Sequence, residues 1–302
     1  MTAPVRASRR WSAVLPLVAA LACTGHAAAQ ADSVARSWNQ PVAPFRIIDR
    51  IYYVGAHDLA SYLIATGAGL ILIDGGLVET APQILRNIRT LGFRPEDVEI
   101  LLVSHPHYDH VGGIAELKRA TGGRLFVSAP DAPMLARGGL DDFGFGDRFP
   151  FPPVQVDSTF TDGALISLGG VALRANLTAG HTRGCTTWTM AAREAGREYG
   201  VLFLCSTSVP GYQLIGNAKY PGIVKDYENS FARLRTLRCD VLLGAHGNFF
   251  GLTAKRAALQ RGAGPNPFID PTGCRRDLDD SERAFRRILE RQRDTALLLG
   301  SQ

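Results

Sequence analysis

The hydrophobic positions of this chain fall into short runs separated by Gly, Pro and Asp, and the runs switch between a strand period and a helix period. Arg46–Val54, Ser61–Thr66 and Leu70–Asp74 read as short strands, the last closing on the turn Gly75-Gly76. Thr80 opens a helix with Gln83 three residues on, the spacing of a capping box. Ile84, Leu85, Ile88 and Leu91 share one face of that helix before Gly92 stops it. Val98–Val103 is apolar almost without interruption, as a strand covered on both faces would be. A second helix then runs to about Thr121. Further strands are expected at Arg124–Ser128, Leu165–Leu168, Val171–Thr178, Thr186–Met190, Val201–Cys205 and Val241–Gly244. A helix from Asp226 lines up Tyr227, Phe231, Leu234 and Leu237, and a last helix from about Ser281 turns Phe285, Ile288 and Leu289 inward and its arginines to solvent. Arg137–Pro153, rich in Gly, Phe and Pro, follows neither period and reads as a long loop, which in a compact domain is commonly a functional lid.

Alternating strands and helices without linker or repeat define an α/β chain, and 302 residues with 46% hydrophobic content can bury a sizeable core. The first thirty residues stand apart from it. Arg6, Arg9 and Arg10 precede the apolar stretch Trp11–Cys23, too short to span a bilayer, and Ala27-Ala28-Ala29-Gln30-Ala31 offers small residues at signal-peptidase spacing. Residues 1–30 are therefore expected to be a signal peptide and 31–302 the working domain, released to the periplasm with no integral membrane segment. Ser8-Arg9-Arg10 hints at twin-arginine export, and Ala20-Leu21-Ala22-Cys23 is an imperfect lipobox. Removing three arginines and no acid takes the net charge from +5 to +2, and no run of Lys or Arg follows, so nucleic acid is not an expected partner. Export permits disulfides among Cys185, Cys205, Cys239 and Cys274; four cysteines allow three full pairings, and the spacing does not choose.

Five of the seven histidines sit in three short motifs at strand ends. His105, His107 and His110 share a six-residue loop with Asp109, His181 lies in Ala179-Gly180-His181-Thr182, and His246 in Gly244-Ala245-His246-Gly247. In extended chain, residues two apart point the same way, so His105 and His107 can face one ion, and Asp109 and His110, just past a turn, a second. Neutral imidazole and carboxylate suit zinc, and a catalytic site leaves a position for water. A lone histidine beside a strand is usually structural, and His57, with no motif around it, is read that way. Four ligand-type side chains within six residues have no such packing rationale.

Ser104-His105-Pro106-His107-Tyr108-Asp109-His110 followed by Gly112-Gly113 resembles the signature of the metallo-β-lactamase superfamily. Within it, Gly180-His181-Thr182-Arg183-Gly184-Cys185-Thr186-Thr187-Trp188, the segment Cys205-Ser206-Thr207-Ser208 where most superfamily hydrolases carry a bridging Asp, and Leu243-Gly244-Ala245-His246-Gly247-Asn248 are similar to subclass B3. The resemblance implies a four-layer αββα sandwich with two zinc ions, one on His105, His107 and His181, the other on Asp109, His110 and His246. It implies a Cys239–Cys274 disulfide, with Cys185 and Cys205 expected as unpaired buried thiols, and places Ser206 and Ser208 near the substrate carboxylate. The activity implied is opening of the β-lactam ring of penicillins, cephalosporins and carbapenems by hydroxide held between the ions and oriented by Asp109, conferring antibiotic resistance, in a monomer. A lactonase or thioesterase of the same superfamily is the alternative, since the signature alone does not choose a substrate.

Overall fold

The computed structural model describes residues 33–262 and 264–300; the expected signal peptide lies outside them. From Trp38 onward the chain forms one compact unit. Its first sheet has seven strands in sequence order: β1 (Phe45–Ile48), β2 (Ile51–Tyr53), β3 (Tyr62–Thr66), β4 (Gly69–Ile73), β5 (Val98–Leu102), β6 (Arg124–Ser128) and β7 (Ser158–Phe160). β1 to β4 form antiparallel hairpins, and β4 to β7 run parallel through helical crossovers. The second sheet is ordered β12 (Val241–Gly244), β11 (Arg197–Leu204), β10 (Thr186–Glu194), β9 (Val171–Leu177), β8 (Leu165–Leu168). Only β11 and β12 are parallel.

The near-continuous apolar runs have a direct cause. In β4 and β5 alternate residues serve two cores: Ile71, Ile73, Ile100 and Leu102 pack between the sheets with Leu173, Trp188, Val201 and Leu243. Leu70, Leu72, Val98 and Leu101 pack outward under the helices Ala81–Thr90 and Ile114–Thr121. Beyond the second sheet, Tyr227 and Phe231 of the helix Ile223–Thr236 meet Phe285 and Leu289 of the helix Pro271–Gly300. Helix, sheet, sheet and helix layers result, the αββα sandwich. Among the described residues no helix is long and apolar enough to cross a membrane.

Several expectations need correction. Arg46–Val54 is a hairpin, broken where Asp49 takes positive φ. Thr80 and Gln83 form no capping box: the Thr80 hydroxyl accepts from Leu77 N (2.9 Å) and donates to Asn39 Oδ1 (2.7 Å), while Gln83 Nε2 donates to the Gly55 carbonyl (3.1 Å). Both side chains tie the helix to neighbouring segments rather than to its own terminus. The last helix begins ten residues early, at Pro271, because proline suits a first helical turn and Asp270 Oδ1 accepts the Gly273 N–H (2.8 Å). Ser158–Phe160 and the helix Leu252–Arg261 had no periodic signal; the first is three residues long and the second buries only Leu252.

Cys239 and Cys274 are joined, tying the approach to β12 to the last helix. Cys185 and Cys205 are also joined, against expectation. β10 and β11 pair with Trp188 opposite Phe203, and continuing that register brings the two cysteines one position from alignment, 5.9 Å apart at Cα. Only the register reveals it. Replacing both by alanine should lower unfolding free energy by about 3 kcal/mol in the loop-closure picture. Denaturant melts of parent and variant would measure this, and recovery of Cys185 and Cys205 as free thiols in unreduced peptide maps of exported protein would contradict the pairing.

Candidate metal centre

The motif histidines meet at one edge of the sandwich, each delivered by a strand end: His105–His110 after β5, His181 after β9, His246 after β12. The loop after β5 is anchored by Asp74, which ends β4 with φ of 62° and accepts Ser104 N at 2.6 Å. Its far end packs against the turn after β4 so closely that only glycine fits at 113, where a Cβ would stand 2.4 Å from the Gly75 carbonyl oxygen. The His181 loop is closed by Thr178 N donating to Cys185 O (2.8 Å) and held by buried Asp131, which accepts from Thr182 Oγ1 (2.6 Å) and Gly184 N (2.8 Å).

Two groups of three donors result. Donor atoms of His105, His107 and His181 lie within 4.8 Å of one another, and so do those of Asp109, His110 and His246. In the second group Nε2 of His110 and His246 are 3.2 Å apart, and Asp109 Oδ2 is 3.5 and 3.4 Å from them. A tetrahedral ion with bonds of 2.0–2.1 Å has ligand edges of about 3.3–3.4 Å, so this triangle fits zinc without rearrangement.

The other ring nitrogens fix which atom faces inward. His181 Nδ1 donates to the Ser208 carbonyl (2.9 Å), and His246 Nδ1 meets Asp58 Oδ2 (2.9 Å), leaving Nε2 of each for the centre. Asp58 also accepts from Asn248 N (2.8 Å). Burial and the neighbouring imidazoles push His105 and His181 well below the usual histidine range, which keeps them neutral, as a ligand must be. Burial likewise takes His110 down to about 3. His246 goes the other way: burial opposes its charge, but Asp109 and Asp58 raise it to about 9. For Asp109 burial works against ionisation, yet His110 and His246 hold it below the usual carboxylate range.

The centre floors an open cleft of about 330 Å³ lined by Trp38, Phe145, Phe149 and Phe249, with Ser206 and Ser208 on one wall. Those serine hydroxyls are 3.1 Å apart. Arg137–Pro153 forms part of the roof: Phe145 meets the His107 ring edge-on (5.2 Å), and Phe149 stacks on Tyr108 (4.7 Å). All six expected ligands and both serines are thus gathered, while Cys185 and Cys205 lie behind His105 as a disulfide. His57 does not line the cleft, but its neighbour Asp58 supports His246. Asp58 and Asp142, which lies 3.7 Å from His107 Nε2, were not signalled by the sequence, since each is a single carboxylate on an irregular segment.

The family model of the metallo-beta-lactamase superfamily matches residues 55–246. Among solved structures, the chain is 41% identical to the FEZ-1 metallo-beta-lactamase of Legionella gormanii, with a TM-score of 0.83 over 84% of this chain and 98% of that one. It is 44% identical to a metallo-beta-lactamase of Cronobacter sakazakii (TM-score 0.82, 86% and 99% covered). It is 38% identical to BJP-1, a subclass B3 enzyme of Bradyrhizobium japonicum (TM-score 0.80, 86% and 98% covered). Curated relatives include a hydroxyacylglutathione hydrolase of Methylobacterium nodulans, 32% identical over 37% of this chain and 35% of that protein. The match to this protein and to two other curated relatives, a probable metallo-hydrolase of Burkholderia pseudomallei and a hydroxyacylglutathione hydrolase of Acidiphilium cryptum, spans about two-fifths of their length. The chain belongs to the metallo-β-lactamase superfamily.

Proposed function

We propose that this chain is an exported dinuclear zinc β-lactamase of the B3 kind, opening the ring of penicillins, cephalosporins and carbapenems. The observation that carries the reading is the pairing of two complete three-donor groups with a serine-lined, aromatic-walled cleft above them. Likeness to β-lactamases along nearly their whole length supports the same substrate. Bound zinc would supply Lewis acidity and lower the pKa of water from 15.7 toward roughly 7.

Around it, His105, His107 and His181 would hold one ion and Asp109, His110 and His246 the other. Ser206 and Ser208, adjacent on the cleft wall, present hydroxyls to the substrate carboxylate. Trp38, Phe145, Phe149 and Phe249 offer apolar walls against which the fused rings would pack. Asp109, ionised among imidazoles, can accept a proton-bearing contact from the attacking water and orient it. A serine nucleophile is not needed: Ser104, although 3.0 Å from His105 Nδ1, is buried and does not line the cleft.

Purified mature protein should hydrolyse benzylpenicillin, a cephalosporin and a carbapenem. Chelation should abolish the activity, zinc should restore it, and clavulanate should leave it intact, there being no acyl-enzyme to trap. Steady-state assays on all three classes test this. Turnover of a glutathione thioester or a homoserine lactone, with none of the β-lactams opened, would keep the zinc chemistry and overturn the substrate. Recovery of the chain from the periplasm without residues 1–30 would support the export reading.

A further inference from the structure

Asp142 is a buried carboxylate with half of its hydrogen-bonding capacity unused. Its Oδ1 accepts Gly144 N (2.7 Å) and Phe145 N (2.6 Å), the tight turn at the tip of the 137–153 loop. Its Oδ2 has no hydrogen-bond partner, although the side chain is 4% exposed. A buried carboxylate oxygen left over in this way is costly unless a donor faces it. The group that faces it is His107, whose Nε2 lies 3.7 Å away. Tyr212 Oη, 3.4 Å from the same nitrogen, has its proton directed to the His181 carbonyl (3.1 Å) and can only accept from His107. His107 Nε2 is thus surrounded by acceptors, which selects the tautomer with hydrogen on Nε2 and a free lone pair on Nδ1.

We infer that Asp142 is the positioning residue of His107, fixing its tautomer and ring plane for the first ion and tying the loop that roofs the cleft to occupancy of that site. The same five residues, Asp142, Gly144, Phe145, His107 and Tyr212, perform both tasks. Asp142 holds the turn through Oδ1, and Phe145, on that turn, meets the His107 ring edge-on. Gly144 lies so close to the Tyr212 ring that a Cβ there would be 2.3 Å from it, leaving the turn little freedom to move independently of Tyr212 and His107. His107 and the substrate-facing Phe145 are therefore set by one carboxylate. His246 has the analogous partner in Asp58 and His181 in a backbone carbonyl, so each ligand-bearing segment supplies or finds its own support.

The inference rests on the ligand division proposed above, and the test separates the two. In a His246→Ala background only the His105–His107–His181 ion should remain, and its affinity can be read by competition with a chromophoric chelator. Adding Asp142→Asn keeps an oxygen for Gly144 N and Phe145 N but can turn an NH2 toward His107 Nε2. Zinc affinity at that site should fall 10- to 100-fold. Asp142→Asn alone should leave the other ion's affinity within about threefold, and Tyr212→Phe should weaken the first ion less than Asp142→Asn. In unmutated zinc-loaded protein labelled with 15N-histidine, His107 should show a downfield Nε2–H protected from exchange. An affinity for the first ion unchanged by Asp142→Asn, equal weakening of both ions, or absence of that proton signal would overturn the role of Asp142. Failure of the His246→Ala protein to bind any ion would instead overturn the ligand division.

Discussion

Asp109→Asn is expected to lower kcat for β-lactam hydrolysis at least a hundredfold while leaving the fold intact. The substitution preserves shape and removes one charge. That charge sits between two imidazoles: Oδ2 lies 3.5 Å from His110 Nε2 and 3.4 Å from His246 Nε2, which are themselves 3.2 Å apart. An amide cannot neutralise a cation held by those nitrogens, and its NH2 would point hydrogen at them half of the time. The second ion should be lost and with it the acceptor that orients water, a role generally worth 10²- to 10⁴-fold. The first ion, held by three other side chains, His105, His107 and His181, should stay. Metal analysis alongside kinetics checks both halves. A variant that keeps two ions and full kcat would remove Asp109 from the chemistry.

How far the sequence revealed this centre depended on whether a residue announced itself locally. His105, His107, Asp109 and His110 lie within six residues, so their grouping follows from chain geometry alone. His181 and His246 arrive from other strands, and only the family resemblance connected them to the first four before the structure brought them together. The residues behind the ligands were silent for the opposite reason. Asp58 and Asp142 are separated from their histidines by 188 and 35 positions and sit in segments without period. Their meaning comes entirely from where the fold places them.

The fold divides in the same way. β4 and β5 were legible because each supplies alternate apolar faces to two filled cores, and the helix Ala81–Thr90 because it turns one staggered apolar face to the outer of them. β7 was not, since an edge strand of three residues needs only one partner and little burial. The Cys185–Cys205 bridge shows a related limit. Burial of both residues was expected correctly, but pairing depends on how β10 registers against β11, which no single-strand pattern encodes. The aromatic cleft walls were hidden too: Trp38 and Phe249 come from chain distant from the 137–153 loop and become a common surface only around the metal centre.

The second large effect is a difference in proton competition between the two sites. In metal-free protein His246 carries its proton up to about pH 9, since Asp109 and Asp58 outweigh the cost of its burial. His105 and His181 are pushed well below the usual histidine range and carry none at neutral pH. Zinc must displace the His246 proton at every pH below about 9, so apparent affinity at that site should fall about tenfold for each unit of acidification. From pH 8 to pH 6 this amounts to roughly a hundredfold, while the His105–His107–His181 site should change far less. The sign for the fold is the reverse. A histidine whose pKa is raised on folding contributes stability fully below its unfolded value, near 6.5, and loses it as pH rises through about 9. Stripped protein should therefore lose this contribution between those values, while zinc-loaded protein gains affinity over the same interval. Isothermal titration with zinc at several pH values, in buffers of different ionisation heat, would count the protons released. Release of no proton at the second site between pH 6 and pH 8, or an equal pH slope at both sites, would contradict this assignment of the His246 proton.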